Sequence, residues 1–333
     1  MTFKGIQLTQ HDRVTHAELA DIDEAGLPDG DVDVDVEWST LNYKDGLAIT
    51  GKGAVVRSWP MVPGIDFAGT VRESRNPAWQ AGDKVVLTGW GLGETRWGGL
   101  AERVRVPAEW LLKLPAGISA RDAMVHGTAG VTAALCVLAL QKHGVTPEQG
   151  EVLVTGSAGG VGSVAIALLA SLGFQVVAST GRTSEHAYLQ ALGAARVVDR
   201  TTLSEPGKPL QKESWAAVVD TVGSHTLANA CAATKSDGAV AACGLAQGAD
   251  FPSTVMPFIL RGVCLYGINS VYQSNAHRAA AWALLAQHVS AQRLASMAVE
   301  IPLSAAIATA SAVLAGQTRG RTLVKVAGCW VPD

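Results

Sequence analysis

Ser157, Gly159, Gly160 and Gly162 follow a short β-branched run, Val152-Leu153-Val154, and lead into an apolar segment from Ser163 to Ala170. A strand, a glycine-dense turn and a helix in that order make an anion-binding unit. Residues without a Cβ permit the tight turn and let a pyrophosphate approach the backbone, and the helix N-terminus aims its unpaired N–H groups and positive dipole end at the charge. The expected ligand is a nicotinamide dinucleotide, with Ala158, Gly159, Gly160, Val161 and Gly162 at its phosphates. The pattern departs from G-x-G-x-x-G, because Ser157 stands where the first glycine would be.

Downstream, Phe174-Gln175-Val176-Val177-Ala178 reads as a second strand, which completes a βαβ unit. An NAD site should carry an acidic residue at the end of that strand, for the ribose 2′-hydroxyl. Ser179-Thr180-Gly181-Arg182 stands there instead. No carboxylate repels a 2′-phosphate; two hydroxyls and a backbone N–H can donate to it, and Arg182 can form charge-assisted bonds with it. These residues select NADPH over NADH. Arg200, at the end of the third strand, is a further candidate for the adenosine phosphate.

The elements that must position this turn come in two kinds. From residue 1 to about 123 short strands alternate with Gly/Pro turns, and Asp31-Val32-Asp33-Val34-Asp35-Val36 has the period of two of a half-buried strand. It superficially resembles a calcium loop, but the sixth position is Val36 and the twelfth Asn42, where such a loop needs Gly and Glu. Further strands are expected at 67–71, 84–87 and 101–106. From Gly127 the character changes to long helix, and strand-helix alternation runs to about 270, with strands at 196–199, 216–220, 239–243 and 263–268. The expected fold class is α/β: a β-rich domain over 1–123, a doubly wound parallel-sheet domain over 124–270, and a return of 271–333 to the first. The return carries a helix from Ala276 to Val289 and a final strand at 322–326.

Composition narrows the function classes. A chain of 333 residues with 48% hydrophobic content is long enough to bury two cores, and a net charge of −3 gives no polyanion-binding signal, so nucleic acid is not an expected partner. The first residues lack the apolar core of a signal peptide, and no uninterrupted apolar segment reaches the roughly 20 residues of a membrane span. A cytoplasmic location is expected. Cys136, Cys231, Cys243, Cys264 and Cys329 are far apart and include no C-x-x-C pair, which supports neither a disulfide framework nor a structural zinc site.

Several longer segments, at 39–53, 63–71, 87–91, 97–102 and 320–326, together with the order of β-domain, glycine turn and returning C-terminus, resemble the medium-chain dehydrogenase/reductase superfamily. Within it the chain resembles the acrylyl-CoA reductase family, also described as quinone-oxidoreductase-like. The resemblance implies a GroES-like catalytic domain, a Rossmann domain, a cleft between them, NADPH-dependent reduction of an activated double bond, and a homodimer paired through the last Rossmann strand, here near 263–268. Zinc-dependent members of the superfamily carry a cysteine where this chain has Leu41-Asn42-Tyr43, and Gly-His-Glu where it has Gly64-Ile65-Asp66. Asn42, Tyr43 and Ile65 cannot supply a tetrahedral zinc set, so no metal is expected. His126 is expected to be structural.

Without a metal to polarise a carbonyl, the natural reaction is hydride addition to the β-carbon of a C=C conjugated to a thioester or ketone. Acryloyl-CoA reduced to propanoyl-CoA is the reading implied; quinone or enone reduction, and a silent NADPH-binding sensor, are the alternatives. Asn42 and Tyr43, placed where a strand should meet the nicotinamide pocket, are the expected catalytic pair. Tyr43 would contact the nicotinamide end and relay a proton, with Asn42 orienting the substrate or Tyr43. Gly244 and Leu245, then Asn269 and Ser270, follow strands whose carboxyl ends should face the cofactor. Thr128 and Thr132 would begin a long helix, and Ile259 would add a packing contact. Lys52, Arg57, Arg319 and Arg321 are candidate cations for the phosphates of an acyl-CoA, and Trp90 and Trp97 are walls of the substrate cleft or core packing.

Overall fold

The chain opens with a hairpin that the sequence pattern did not announce. In the computed structural model, which describes residues 1–326, β1 (Thr2–His11) and β2 (Val14–Asp23) pair antiparallel across Asp12 and Arg13. The φ values of these two residues, 49° and 65°, supply the left-handed turn that a two-residue hairpin loop needs. Cys329 lies outside the described residues.

The strand β3 (Val32–Thr40) shows why acid and valine alternate. Val32, Val34 and Val36 are at most 1% exposed, while Asp33 and Asp35 turn outward. Next come a helix, α1 (Tyr43–Thr50), and the strands β4 (Asp66–Ser74), β5 (Lys84–Thr88), β6 (Arg103–Val106) and β7 (Leu112–Lys113). Antiparallel pairing sets Asp33 opposite Arg105 and Asp35 opposite Arg103, and Asp33 takes two bonds from the Arg105 guanidinium at 2.6 and 2.8 Å. The aspartates therefore serve a strand pair.

One expectation needs correction here. Asn42 and Tyr43 are not on a strand: β3 ends at Thr40, and Asn42 is the N-cap of α1. The local signals are an Asn at the cap, Asp45 three residues on accepting the Asn42 backbone N–H, and Gly51 at φ 66° past the last turn. Thr128 does open a helical stretch, with Thr132 a turn further on, because the chain kinks just before it. The helix α2 (Ala120–His143) starts eight residues before Thr128 and is broken at Gly127, which has φ 49° and ψ −155°. It is the one described helix long and apolar enough to cross a membrane, and 83% of its apolar window is buried inside the protein, as a core helix is.

Strand-helix alternation then proceeds through β8 (Val152–Val154), α3 (Gly160–Ser171), β9 (Val176–Thr180), α4 (His186–Leu192), β10 (Ala194–Asp199), α5 (Thr201–Ser204), β11 (Trp215–Asp220), α6 (Ser224–Ala233), β12 (Thr234–Ala242), α7 (Met256–Arg261) and β13 (Cys264–Gly267). The six strands pair in parallel in the order β10-β9-β8-β11-β12-β13, the doubly wound arrangement whose strand order reverses between β8 and β11. Near-continuous apolar runs such as Val176–Ala178 are buried on both faces, as a parallel sheet covered by helices requires.

The chain returns through α8 (Asn275–His288), α9 (Ala291–Met297), β14 (Ala298–Pro302), α10 (Ala306–Leu314) and β15 (Arg321–Lys325). The strands β14 and β15 complete the first sheet, in the order β14-β15-β3-β4-β5-β7 with β6 beside β3. Two compact units result: Met1–Thr128 with Val271–Ala279 and the described residues from Leu294, and Ala129–Ser270 with Ala280–Arg293. The first packs Ile6, Val34, Phe67, Leu87 and Val324 into one core; the second has Leu153, Val177, Val218 and Val240 at its centre.

Candidate functional site

In the first unit, the polar residues at the end of β3 and the start of α1 form a closed buried network. The Asp45 carboxylate accepts the backbone N–H groups of Gly64 and Ile65 at 3.0 Å each, and the Asn42 backbone and side-chain N–H groups at 2.8 and 3.1 Å. Those donors favour its anion, yet burial and the nearby Asp66 carboxylate push its pKa up to about 7. Asp66 is itself fully buried. It accepts from the Thr40 hydroxyl at 2.5 Å, the Thr128 backbone N–H at 2.7 Å and the Asn42 amide at 3.2 Å.

The cation that offsets these carboxylates is Arg321, the first residue of β15 and only 3% exposed. Its guanidinium donates to Asn42 Oδ1 at 2.9 Å, to Thr40 Oγ1 at 3.0 Å and to the Val125 carbonyl at 3.1 Å, and lies 3.8 Å from Asp66. The break at Gly127 makes room for it: a Cβ there would stand 2.6 Å from Arg321 Nη2 and 2.8 Å from Asp66 Oδ2. Arg321 is thus not available to an acyl-CoA phosphate, which corrects that assignment; Lys52, Arg57 and Arg319 are exposed. His126, 1% exposed, has its pKa pushed down to about 4 by burial, with the Arg321 charge adding to the effect.

Asn42, 8% exposed, spends its amide and its carbonyl inside this network. These bonds fix the start of the helix on which the next residue sits. That residue, Tyr43, is 44% exposed at the first position of α1. Trp90 and Trp97 pack against the core of this unit, Trp90 stacked on Trp110 with ring centroids 5.7 Å apart and Trp97 donating to the Pro60 carbonyl.

In the second unit the glycine turn is held from beneath. Gly156, which sequence reasoning passed over, takes the left-handed conformation at φ 59°. Ser157 is fully buried, its hydroxyl donating to the Val154 carbonyl at 2.7 Å and its N–H pointing to the Ser179 carbonyl at 3.3 Å. Gly162 packs directly on the turn, since a Cβ would meet Gly156 O at 2.5 Å and Ser157 Cα at 2.7 Å. Gly159 is the N-cap of α3 and brings no side-chain acceptor, which leaves the first N–H groups of that helix for a ligand. Ala158 is buried, Gly160 and Val161 are half-buried, and Gly159 is exposed.

Asp220, at the carboxyl end of β11, was also missed. Its buried carboxylate accepts from the Thr155 hydroxyl at 2.6 Å and the Gly223 N–H at 2.8 Å, while burial raises its pKa. It ties the end of β8 to that of β11, at the reversal of strand order.

At the neighbouring strand ends, Ser179 and Thr180 are buried at 2% and 7% exposure, so only their edges face outward. Thr180 accepts the Arg182 N–H on its hydroxyl and the Arg200 N–H on its carbonyl. The Arg200 side chain lies along Gly181, where a Cβ would stand 2.5 Å from Nε. Thr180, Gly181, Arg182 and Arg200 are thereby brought together. Leu245 and Ile259 are exposed at 59% and 70%, and Ser270 is half-buried three residues beyond β13.

Comparison with known proteins gives matches over both units. Residues 28–116 match the family described as alcohol dehydrogenase GroES-like domain, and residues 160–287 the family described as zinc-binding dehydrogenase. The probable acrylyl-CoA reductase AcuI of Escherichia coli K12 is 54% identical over 323 residues, 97% of this chain and 99% of its own length. The acrylyl-CoA reductase AcuI of Ruegeria pomeroyi is 50% identical over 313 residues, 94% and 95% of the two lengths. The crystal structure of Escherichia coli K-12 YHDH with bound NADPH shares a TM-score of 0.95 and 54% identity, over 97% of this chain and 99% of that one.

The description of one matched family names zinc, and the residues here do not fit it. The buried set offers an amide, two carboxylates already bonded by N–H and O–H donors, and a guanidinium. Among the described residues no group of three or more His, Cys, Asp or Glu is placed to hold a metal.

Proposed function

This chain belongs to the acrylyl-CoA reductase family of the medium-chain dehydrogenases and reductases, and on that premise we propose that it reduces acryloyl-CoA to propanoyl-CoA with NADPH and without zinc. One observation carries the reading: Tyr43 is presented at the start of α1 by a buried network in which a guanidinium, Arg321, supplies the positive charge. NADPH, when bound, supplies the hydride for the substrate's β-carbon.

The chain's own residues bind, orient and move a proton. The N–H groups of the first turn of α3, at Gly160, Val161 and Gly162, with Gly159 as its cap and Ala158 in the turn before it, would hold the pyrophosphate. Thr180, Gly181, Arg182 and Arg200 would hold the 2′-phosphate, with Ser179 supporting the turn. Leu245, Ile259, Ser270, Thr128 and Tyr43 would meet the remainder. Tyr43 presents its phenol to the thioester, where charge builds on the carbonyl oxygen, and relays a proton toward the α-carbon. Asn42 is a positioning residue, locking the helix start on which Tyr43 sits.

We also read the chain as a homodimer. The strand β13 ends its sheet among the described residues, and Val255, Met256, Ile259, Leu260 and Leu265 around it are 64%, 37%, 70%, 60% and 37% exposed. An unpaired apolar edge of this kind is closed by pairing with a second copy.

NADPH oxidation followed in parallel with acryloyl-CoA, crotonoyl-CoA and a quinone tests the function. Turnover with the quinone alone overturns the thioester reading. Tight NADPH binding without any turnover makes the chain a sensor.

A further inference from the structure

Tyr272 is a large aromatic side chain, 66% exposed, whose flanking backbone carbonyls are both hydrogen-bonded. The Val271 carbonyl before it accepts the Trp90 N–H at 2.9 Å and Arg278 Nη2 at 2.8 Å, and the Gln273 carbonyl after it accepts Arg278 Nε at 3.2 Å. Arg278 is 1% exposed and also donates to the Thr88 carbonyl and hydroxyl at 2.7 and 2.9 Å. Its guanidinium lies 5.1 Å from the Trp90 ring, and desolvation lowers its pKa to about 10. A buried cation is costly, and here it is bonded to the two peptide groups that flank one exposed tyrosine. The ring so supported is open to a ligand.

The surroundings say of what kind. The Tyr272 hydroxyl lies beside Gly91, 3.8 Å from where a Cβ on that residue would be, in a loop where Gly89, Trp90, Gly91 and Gly93 all take positive φ. The same loop carries Glu94, paired at 2.7 Å with Lys44, the neighbour of Tyr43 on α1. On the other side, Tyr272 follows Ser270 by two residues, beyond the carboxyl end of β13. It therefore stands on the first unit beside a loop braced on the helix of Tyr43, two positions along the chain from Ser270, which is assigned to the cofactor. An amphipathic ring with a hydroxyl at its edge suits a ligand that alternates alkyl and amide groups.

We propose that Tyr272 contacts the amide-bearing pantetheine arm of the acyl-CoA substrate and so favours CoA thioesters over small enones; this rests on the function proposed above. The test compares wild type with Tyr272→Ala and Tyr272→Phe, using acryloyl-CoA and methyl vinyl ketone, which lacks the arm. Tyr272→Ala is expected to lower kcat/KM for acryloyl-CoA about tenfold through KM, with kcat, KM for NADPH and turnover of the ketone within about twofold. Recovery in Tyr272→Phe assigns the contact to the ring, and no recovery assigns it to the hydroxyl; both support the proposal. Equal losses for the two substrates, or no loss for either, overturn it. If the wild type does not consume acryloyl-CoA, the functional reading fails without reference to any variant. Tyr272 is then tested by equilibrium binding of CoA itself, where an unchanged Kd in Tyr272→Ala overturns the proposal and about tenfold weaker binding upholds it.

Discussion

Arg321 Nη1 lies 2.9 Å from Asn42 Oδ1, although 279 positions separate the two residues in the chain. The bond closes a buried circuit in which Thr40, Asp45, Asp66 and the Thr128 N–H all take part, and whose one outward product is the placement of Tyr43.

Removing the guanidinium leaves that circuit with two buried carboxylates and no cation. Arg321→Met is expected to destabilise the protein by about 3–5 kcal/mol. Arg321→Lys restores the charge but not the bonds to Asn42, Thr40 and Val125, and should recover only part of the loss. Urea denaturation of the three proteins measures this, and wild-type stability in the methionine variant would refute the account.

Gly127→Ala should damage the same network from the other side. Backbone strain at φ 49° costs about 1–3 kcal/mol for a residue with a Cβ, and the new methyl would press on Arg321 and Asp66. Thermal unfolding should show a Tm well below that of Gly117→Ala, where φ is also positive but a Cβ meets nothing within 4 Å.

Tyr43→Phe is expected to lower kcat about 10²-fold, the usual range for losing a proton-transfer group, with KM for NADPH within about twofold. Asn42→Ala should lower kcat and stability together, because it acts through the network. A kcat loss in Asn42→Ala without loss of stability would put Asn42 in direct contact with substrate.

Arg182→Ala and Arg200→Ala should each raise KM for NADPH by about tenfold and KM for NADH by less than about twofold. Steady-state kinetics with both coenzymes decides it. Equal effects on the two would remove these residues from the 2′-phosphate.

Asp45 and His126 should pull stability in opposite directions with pH. The Asp45 carboxyl titrates at about 7 in the folded chain against an ordinary 3.8, so the folded state holds the extra proton and stability falls as pH rises through that window. His126 titrates at about 4 against 6.5, so the unfolded state holds the proton and stability falls as pH drops from 6.5 toward 4. Relative to wild type, Asp45→Asn should gain stability from pH 4 to 7, and His126→Gln should gain it from pH 6.5 to 4. Parallel urea midpoints for all three across that range would refute both assignments.

What was legible beforehand was local. The valine runs and the glycine turn announced β8, α3 and β9 because a parallel strand buried on both faces reads as a continuous apolar run. The hairpin of β1 and β2 was hidden because Asp12 and Arg13 take positive φ without the Asn-Gly pair that marks such turns. The start of α1 was hidden because Asn42 reads equally as a turn residue. The buried role of Arg321 depends on pairing between β15 and β3, where Leu323 meets Thr40, and no local pattern carries that register. Gly127 reads in the sequence as the start of the long helix, and the helical stretch that precedes it, from Ala120, was not foreseen.

Ser157 has a consequence for how the turn greets its anion. With its hydroxyl on Val154 and its N–H on Ser179, the loop is braced by the protein itself, so that a diphosphate held there would freeze little further motion. Affinity at such a cradle draws on charge and donor geometry instead of being spent on arresting a floppy segment. A fingerprint search that insists on glycine at this place would pass over chains that have gained rigidity by the exchange.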